Sequence, residues 1–266
     1  MTREPEEFAS AQFIRARLYG GDTSTVRRYR ELVVGPGSTW RLLWHELLTT
    51  LVGELPGAIG LALRRVLYPT LFRKCGRGVV FGKSLVIRNA QNIEIGDGVL
   101  VDDFCLLEGR GGAEEPVTIG DRVILNRGVV VQAKIGTIRI GEDCDIGAGC
   151  TLVSQGGVHL GRRVSLGGNC DIGGGVFSTE AIDPADAAGD AAGDGPKHRK
   201  LTRGAVRIGD DTVTGMGVLV LDNVTIGSGC IVGGGAVVRE SIPDGTVATP
   251  HQRLILLPRE PAPTPR

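Results

Sequence analysis

Residues 207–241 read RIGDDTV-TGMGVL-VLDNVT-IGSGCI-VGGGAV-VRES and repeat every six residues. A new unit opens at Ile208 and at every sixth residue up to Val238, and an internal repeat of this kind takes priority over other patterns. A period of six matches neither the helical period of about 3.6 nor the strand period of about 2. The chain is therefore expected to bend every six residues and to bury one side chain per side. Three such sides form one triangular coil.

The same phase continues towards the N-terminus and predicts about seven coils. The openings are Cys75, Phe81, Ile87, Ile95, Val101, Leu107, Ile119, Leu125, Val131, Ile140, Ile146, Leu152, Leu160, Leu166, Ile172, Ile208, Thr214, Val220, Ile226, Val232 and Val238. Only Thr214 is not apolar, and glycine follows the first opening of every coil. Insertions occur only after the third side, so all loops are expected to leave from one corner.

The composition limits the class of protein. The chain has 266 residues, 41% of them apolar, and a mean hydropathy of +0.07, which predicts a soluble globular protein of one or two domains. Thirty basic residues balance 30 acidic ones, so the charge does not suggest a nucleic-acid partner.

The cysteines predict a reducing, cytoplasmic environment. Five of the six, Cys105, Cys144, Cys150, Cys170 and Cys230, follow an opening by four residues, where a small inward-facing side chain is needed. Cys150 and Cys170 lie on adjacent coils, so a disulfide is geometrically conceivable. Because no signal peptide is recognised at the start of the sequence, we expect reduced thiols instead.

Residues 1–74 are predicted to be helical. Helices are expected over Glu6–Tyr19, Thr25–Val34 and Ala58–Phe72, and another along the stripe Trp40, Leu43, Trp44, Leu47 and Leu51. The last two are too short and too charged to span a bilayer. They are expected to cover the open end of the coil stack. The alternative is contact with a membrane surface within residues 38–74, through Trp40, Trp44, Arg64, Arg65, Arg73 and Lys74.

The repeat followed by SIPDG resembles the hexapeptide-repeat acyltransferases, most closely the sugar and antibiotic O-acetyltransferases, over Cys75 to about Arg253. The resemblance implies a mainly β fold, a left-handed parallel β-helix over residues 75–245, with a loop at 178–207 and a C-terminal extension at 246–266. It also implies a homotrimer, acetyl-CoA or another acyl-CoA in a groove between neighbouring helices, and a loop histidine as general base. The acceptor would be a hydroxyl or amine of a sugar, a glycolipid precursor or a small natural product.

Three residues are candidates for the base. The family places its histidine shortly after the position of Ile172, but residues 173–185 contain none, and Asp183 stands near that place. His198 lies in the long insertion, beside a basic run. His159 lies at the corner from which the loops leave, with Arg139 and Arg207 on the neighbouring coils, and flanking cations favour the neutral imidazole. His45 is expected to be structural, and His251 to be either a surface residue or near the donor.

Other residues are candidates for binding. For the acyl-CoA, the resemblance and the chemistry of pantetheine and phosphate suggest backbone donors and bases at Gly215, Gly233, Gly234, Arg239, Arg253 and Lys200. For the acceptor, a polar break in the middle coils and the resemblance suggest Asp145, Asp171, Asn169 and Ser154. Apolar outward columns predict a subunit interface: Leu100, Leu106, Ile124, Val130, Val213, Leu219, Ile231 and Val237.

Other functions stay open from the sequence. A homologue without the base would serve as a binding or scaffold protein. Carbonic-anhydrase-like chemistry needs three converging histidines, which the four present do not supply, so no metal is expected. A nucleotidyltransferase would need a glycine-rich phosphate loop, which residues 1–74 lack, and an isomerase remains possible.

Overall fold

A computed structural model describes residues 25–36, 39–113, 115–173, 177–181, 199–201 and 204–251. Side chains are not described for residues 112–113, 177–181 and 199–201. The helix predicted at Glu6–Tyr19 and the Pro-rich tail lie outside the described residues.

Within these residues the coils build three parallel sheets of seven, eight and seven strands, here sheets A, B and C. Sheet A contains β1 (Lys74–Cys75), β4 (Ile93–Ile95), β7 (Val117–Ile119), β10 (Ile138–Ile140), β13 (Val158–Leu160), β18 (Val206–Ile208) and β21 (Thr225–Ile226). Sheet B contains β2 (Val80–Phe81), β5 (Leu100–Val101), β8 (Ile124–Leu125), β11 (Asp145–Ile146), β14 (Ser165–Leu166), β19 (Val213–Thr214), β22 (Ile231–Val232) and β24 (Val247–Ala248). Sheet C contains β3 (Val86–Arg88), β6 (Leu106–Glu108), β9 (Val130–Ala133), β12 (Thr151–Ser154), β15 (Asp171–Gly173), β20 (Leu219–Val220) and β23 (Val237–Val238).

The register of the sheets is the one that the six-residue period predicts. Each opening pairs with the equivalent opening one coil away, as in Cys75 with Ile95 and Ile87 with Leu107. Every opening from Phe81 to Val238 is buried, and Cys75 is half-buried. The prediction of a parallel β-helix of about seven triangular coils behind an N-terminal helical segment is confirmed, and the arrangement is consistent with the left-handed form.

All of the larger insertions among the coils leave between sheet C and sheet A. They include short 3-10 segments at Ala90–Asn92 and Arg110–Ala113, and the antiparallel hairpin of β16 (Phe177–Ala181) and β17 (Arg199–Leu201). The prediction that the loops share one corner is therefore confirmed. We call this corner the loop corner.

The helices before the coils are α1 (Thr25–Val33), α2 (Thr39–Val52) and α3 (Gly57–Leu67), followed by a 3-10 turn at Tyr68–Leu71. The helix predicted over Ala58–Phe72 therefore ends early. Pro69 has no backbone N–H to donate, and a 3-10 turn replaces the last α-helical turn. Among the described residues, the helices are too short or too polar to cross a membrane.

The helical segment covers the first coil with aromatic and aliphatic side chains. Leu48, Tyr68 and Phe72 belong to the same buried cluster as the coil interior. The rings of Tyr68 and Phe72 each lie 5.6 Å from that of Phe81, the inward residue of β2. His45 is also buried, with Nε2 2.9 Å from the carbonyl oxygen of Ile87, which fits the structural role expected for it.

Arg64 links α3 to this cap from inside the protein. Its side chain is 3% exposed; Nε donates to Phe81 O at 3.0 Å, and Nη1 donates to Val52 O at 3.0 Å and Leu55 O at 2.8 Å. The interpretation that placed Arg64 on a membrane-facing surface is wrong for this residue. With a longer bond to Gly53 O at 3.4 Å, its guanidinium donates to four backbone carbonyls, and this demand for donors explains its burial.

The six cysteines are free thiols, and five are buried. Burial raises the pKa of Cys105 and Cys144 to about 11, which keeps them protonated at neutral pH. They act as small core residues, not as nucleophiles.

Candidate functional site

A groove of about 570 Å³ follows the outer face of sheet A and the turns that lead from sheet A to sheet B. Parallel pairing stacks Arg139, His159 and Arg207 on consecutive coils, with their side chains directed outward. Thr225, Ser228 and Asp244 line the groove further towards the C-terminus. This column brings an imidazole between two guanidinium groups, as the sequence predicts for His159.

The ring of His159 is half-buried against the loop corner. A Cβ built on Gly157, two residues earlier, would lie 3.0 Å from His159 Nε2 and 3.5 Å from the Cβ of Ala205. Gly157 has a φ of +139°, which favours glycine. Residue 157 thus has to be small for the ring to occupy this position.

The surroundings favour the neutral form of the imidazole. Burial lowers the pKa of His159, and the positive charges of Arg207 and Arg139 lower it further. A neutral imidazole at physiological pH can accept a proton. The chemistry that the column supports is therefore proton abstraction close to two cations.

The two guanidinium groups differ in their partners. Arg139 forms an ion pair with Glu115. Within the described part of the chain no carboxylate forms an ion pair with Arg207, which is exposed. Arg207 therefore offers a positive charge to an anionic group that enters the groove.

The two ends of the long insertion lie close to the strand that carries His159. At the departing end, a Cβ on Gly173 would lie 2.7 Å from Val158 Cγ2, and at the returning end Ala205 faces Gly157. His198 and Asp183 belong to this insertion but lie outside the described residues. Lys200 is in β17, where only the backbone is described. The structure thus places one of the three candidate bases, His159, and the attachment points of the loop that carries the other two.

The acceptor residues predicted from the sequence lie on different faces of the coil. Asp145 projects from sheet B, where its Oδ1 accepts a hydrogen bond from Asn126 Nδ2 at 2.7 Å, and Asp171 projects from sheet C. Asn169 is in the turn between these two sheets, with a φ of +57°. The fold of one chain does not bring them to His159.

Ser154 has a different environment from the one expected of a surface residue that binds substrate. It is 1% exposed, at the end of β12 near the loop corner. Its Oγ has no hydrogen-bond partner among the described residues. Side chains alternate between the two faces of a strand, and Leu152 faces the interior. Residue 154, two positions later, therefore faces the interior as well.

The predicted donor-binding glycines lie in stacked turns between sheets B and C. A Cβ on Gly215 would lie 2.4 Å from the backbone nitrogen of Gly234, so the coils need glycine there for close stacking. Gly233 starts the same turn as Gly234, and its nitrogen donates to Ala248 O at 2.7 Å. Arg239 is exposed after β23, and Arg253 lies outside the described residues.

Sequence reasoning missed two parts of the groove. One part is the C-terminal end of the groove, which is lined by Thr225, Ser228 and Asp244. These residues come from later coils and belong to no common sequence motif. The need for Gly157 had a visible signal, since Gly156-Gly157 stands just before the corner strand that carries His159. No group of three or more His, Cys, Asp or Glu residues suited to a metal ion occurs within the described ranges.

Comparison with known proteins agrees with this architecture. Residues 205–240 match the family model of the bacterial transferase hexapeptide (six repeats). A probable acetyltransferase of Mycobacterium tuberculosis is 33% identical over 139 residues, 47% of this chain and 46% of that protein. A putative acetyltransferase of Schizosaccharomyces pombe is 34% identical over 100 residues, 37% and 42% of the two chains. The chain thus matches somewhat less than half the length of these relatives.

Solved structures with a similar chain trace include two acyltransferases. AntD, an N-acyltransferase from Bacillus cereus in complex with dTDP and 3-hydroxybutyryl-CoA, is 23% identical with a TM-score of 0.46, covering 69% of this chain and 81% of its own. A maltose O-acetyltransferase from Clostridium difficile 630 is 18% identical with a TM-score of 0.39, covering 84% and 90%.

The stacked six-residue sides define a parallel β-helix protein built from hexapeptide repeats. The match over residues 205–240 falls inside this repeat and agrees with the resemblance of the repeat to the hexapeptide transferases.

Proposed function

We propose that this protein is an acyl-CoA-dependent acyltransferase that acylates a hydroxyl or amine of a sugar, a glycan or glycolipid precursor, or a small natural product. The observation that carries the proposal is the neutral, half-buried imidazole of His159 between Arg139 and Arg207 in an open groove. The family match and two relatives named as acetyltransferases support it. We also propose a cytoplasmic location, in keeping with the six free thiols.

In the proposed reaction His159 removes the proton from the acceptor as its oxygen or nitrogen attacks the thioester carbonyl. The new C–O or C–N bond forms, the C–S bond breaks, and the leaving thiolate takes up a proton. General-base assistance of this kind contributes about 10²–10⁴-fold to rate. Arg207 would hold an anionic group of the donor or acceptor near the base, which raises the effective concentration of the reacting atoms.

His198 and Asp183 remain rival candidates for the base. Turnover is followed as release of free CoA from acetyl-CoA with a panel of sugar and amine acceptors. We expect His159→Ala to lower kcat by about a hundredfold or more, with acetyl-CoA affinity little changed. His198→Ala and Asp183→Asn serve as matched variants. An inactive His198→Ala or Asp183→Asn beside an active His159→Ala would transfer the role to the insertion.

We further propose that the working form is a homotrimer. Apolar side chains on the outer faces of sheets B and C are exposed in the single chain. They include Leu100 (38%), Ile124 (40%), Val213 (45%), Ile231 (54%) and Val237 (49%). Apolar columns of this kind, interrupted only in the two middle coils, mark an interface. Light scattering of the intact chain should give three times the monomer mass, and Ile124→Asp should lower it.

A further inference from the structure

The positive charges beside His159 are not balanced along the groove. Arg139 lies one coil before His159 and is paired with Glu115, so a carboxylate offsets its charge. Arg207 lies one coil after His159 and is exposed, and within the described ranges no carboxylate forms an ion pair with it. A cation is therefore open to the groove on one side of the candidate base only.

The next coil adds hydroxyl groups beside Arg207. Thr225 pairs with Arg207 in the register of sheet A and is exposed, and Ser228 lines the groove three residues later. Of the described residues that line the groove, only Asp244 carries a carboxylate, and its Oδ1 accepts a hydrogen bond from the backbone nitrogen of Ser228 at 2.8 Å. A guanidinium with a hydroxyl next to it suits a carboxylate or phosphate group, which accepts two parallel hydrogen bonds from arginine.

We propose that the groove binds a sugar that carries a carboxylate or a phosphate group, with this anion on Arg207 and a hydroxyl or amine of the same sugar at His159. The inference rests on the proposed acyl transfer for the role of this sugar, which is the acceptor. Adjacent strands of a sheet lie about 4.8 Å apart, so the backbones that carry Arg207 and His159 are within the span of one sugar ring. One charged monosaccharide unit can therefore contact both side chains.

The short distance between Arg207 and His159 favours an anion on the acceptor over one on acyl-CoA. In acyl-CoA the whole pantetheine arm separates the thioester from the nearest phosphate. The thioester carbonyl has to come within about 3–3.5 Å of the nucleophile that His159 activates. A donor phosphate on Arg207, one coil from His159, would require the pantetheine arm to fold back on itself. An acceptor with its anion on the reacting sugar meets no such constraint.

An anion on Arg207 acts on the imidazole as well. Arg207 is the first charge after burial among the causes that lower the pKa of His159. A bound carboxylate or phosphate offsets this charge, so binding should raise the pKa of His159. A neutral sugar brings no charge and should leave this pKa close to that of the free protein. The ring of His159 therefore reports binding of the anion without any acyl transfer.

The first test is NMR titration of the His159 ring in the intact protein with matched sugars. Glucuronate and glucose 6-phosphate are compared with glucose, and galacturonate is compared with galactose. We expect at least one charged sugar to bind at least about tenfold more tightly than its neutral partner, to raise the pKa of His159, and to bind more weakly at high salt. The comparison of glucuronate with glucose 6-phosphate shows whether the site takes a carboxylate or a phosphate.

Arg207→Gln should lower the affinity for the charged sugar by about tenfold or more, because the hydrogen bonds to the anion are lost. Binding of the neutral sugar and the thermal midpoint should change little, since Arg207 is exposed. Arg77→Gln is the matched control: its side chain is 94% exposed and does not line the groove, so binding should be unchanged. The absence of a preference for the charged member in every comparison would overturn the proposal, and so would an equal loss of affinity in Arg77→Gln.

Turnover separates this inference from the proposed function. The kcat/KM for release of CoA from acetyl-CoA should be at least about tenfold higher with the charged sugar than with its neutral partner, and the ratio should fall towards one in Arg207→Gln. Transfer to neutral sugars without this preference would contradict the charged acceptor and leave acyl transfer supported. Binding of charged sugars without release of CoA would contradict acyl transfer and leave the anion site on Arg207 supported.

Discussion

The Nε2 atom of His159 lies 3.0 Å from the position that a Cβ on Gly157 would occupy. The backbone of Gly157 at the loop corner therefore forms the floor under the imidazole. With a positive φ of +139° and Ala205 Cβ 3.5 Å away, a side chain at residue 157 would be strained and would push against the ring. The position of the candidate base thus depends on a residue that carries no chemistry itself.

Gly157→Ala should displace the ring of His159. We expect the imidazole resonances to shift and turnover to fall by about tenfold or more, because a misplaced base loses its reacting geometry. Gly128→Ala is the control: it has a left-handed φ of +72°, but a Cβ there meets no atom within 4 Å. Both variants should lose about 1 kcal/mol of stability from backbone strain. Equal activity of the two would separate Gly157 from the position of His159.

Arg207→Gln should raise the pKa of His159 towards its ordinary value. Arg207 is the first charge after burial among the causes that lower this pKa. NMR titration of the ring measures the change directly. Asp145→Asn, on another sheet, should leave the titration in place. A His159 pKa that does not move in Arg207→Gln would contradict the electrostatic account of the groove.

The same pKa predicts how stability depends on pH. A histidine whose folded pKa lies below its unfolded value binds more protons when unfolded, so stability falls as the pH drops through the window between the two values. His159→Gln should flatten this part of the stability curve just below pH 6.5, the ordinary value. Denaturant midpoints at a series of pH values provide the measurement, and an unchanged slope would argue against the lowered pKa.

Arg64→Met should destabilise the N-terminal cap. The carbonyl oxygens of Phe81, Gly53 and Leu55 would lose the guanidinium donor, and that of Val52 would keep only the backbone N–H of Leu55. We expect a loss of about 3 kcal/mol or more in the free energy of unfolding. Arg65→Met, at the exposed neighbouring position, should change it by no more than about 0.5 kcal/mol. Similar denaturant midpoints for the two variants would mean that the buried guanidinium does not hold the cap.

Ion pairs between coils should weaken in acid. The guanidinium of Arg163 donates to both carboxylate oxygens of Asp211, at 2.6 and 2.7 Å, and lowers the pKa of Asp211. A carboxyl with a lowered folded pKa stabilises above its unfolded value, and this contribution is lost as the pH falls through the folded pKa. The Asp211→Asn variant should therefore be less stable than the parent protein at neutral pH, and the two stabilities should become equal in acid. Glu240→Gln, an exposed carboxylate, is the control, and a difference that persists in strong acid would refute the pairing.

The register of the coils was readable from the sequence because it rests on local constraints. Each side of the triangle needs one inward residue at a fixed spacing, so a slip of one residue would expose Leu152 or Ile172. The glycine that follows the first opening of every coil gave independent evidence for which side of the triangle comes first. The pairing of β16 with β17 does not follow the six-residue repeat, so the register of the coils does not determine it.

The helical segment shows where periodicity is insufficient. The stripe from Trp40 to Leu51 is apolar, but Leu42, Leu48 and Val52 form a second apolar row on the same helix. A helix that is apolar on two sides does not reveal which side packs, and the structure buries the second row. The burial of Arg64 was equally hidden, since only the folded cap brings its four carbonyl partners together.

The candidate site was predicted in part. The column of Arg139, His159 and Arg207 followed from the register alone. The acceptor residues Asp145 and Asp171 were grouped because they belong to neighbouring coils, yet they lie on different sheets. Sequence spacing locates a residue along the coil more reliably than it shows which residues share one cavity.

Calorimetric titration of the intact protein with acetyl-CoA tests the proposed function most directly. We predict saturable binding with one site per chain, which survives in His159→Ala. Absence of binding at millimolar acetyl-CoA, and equally of longer acyl-CoA donors, would contradict acyl transfer and favour a binding or scaffold protein.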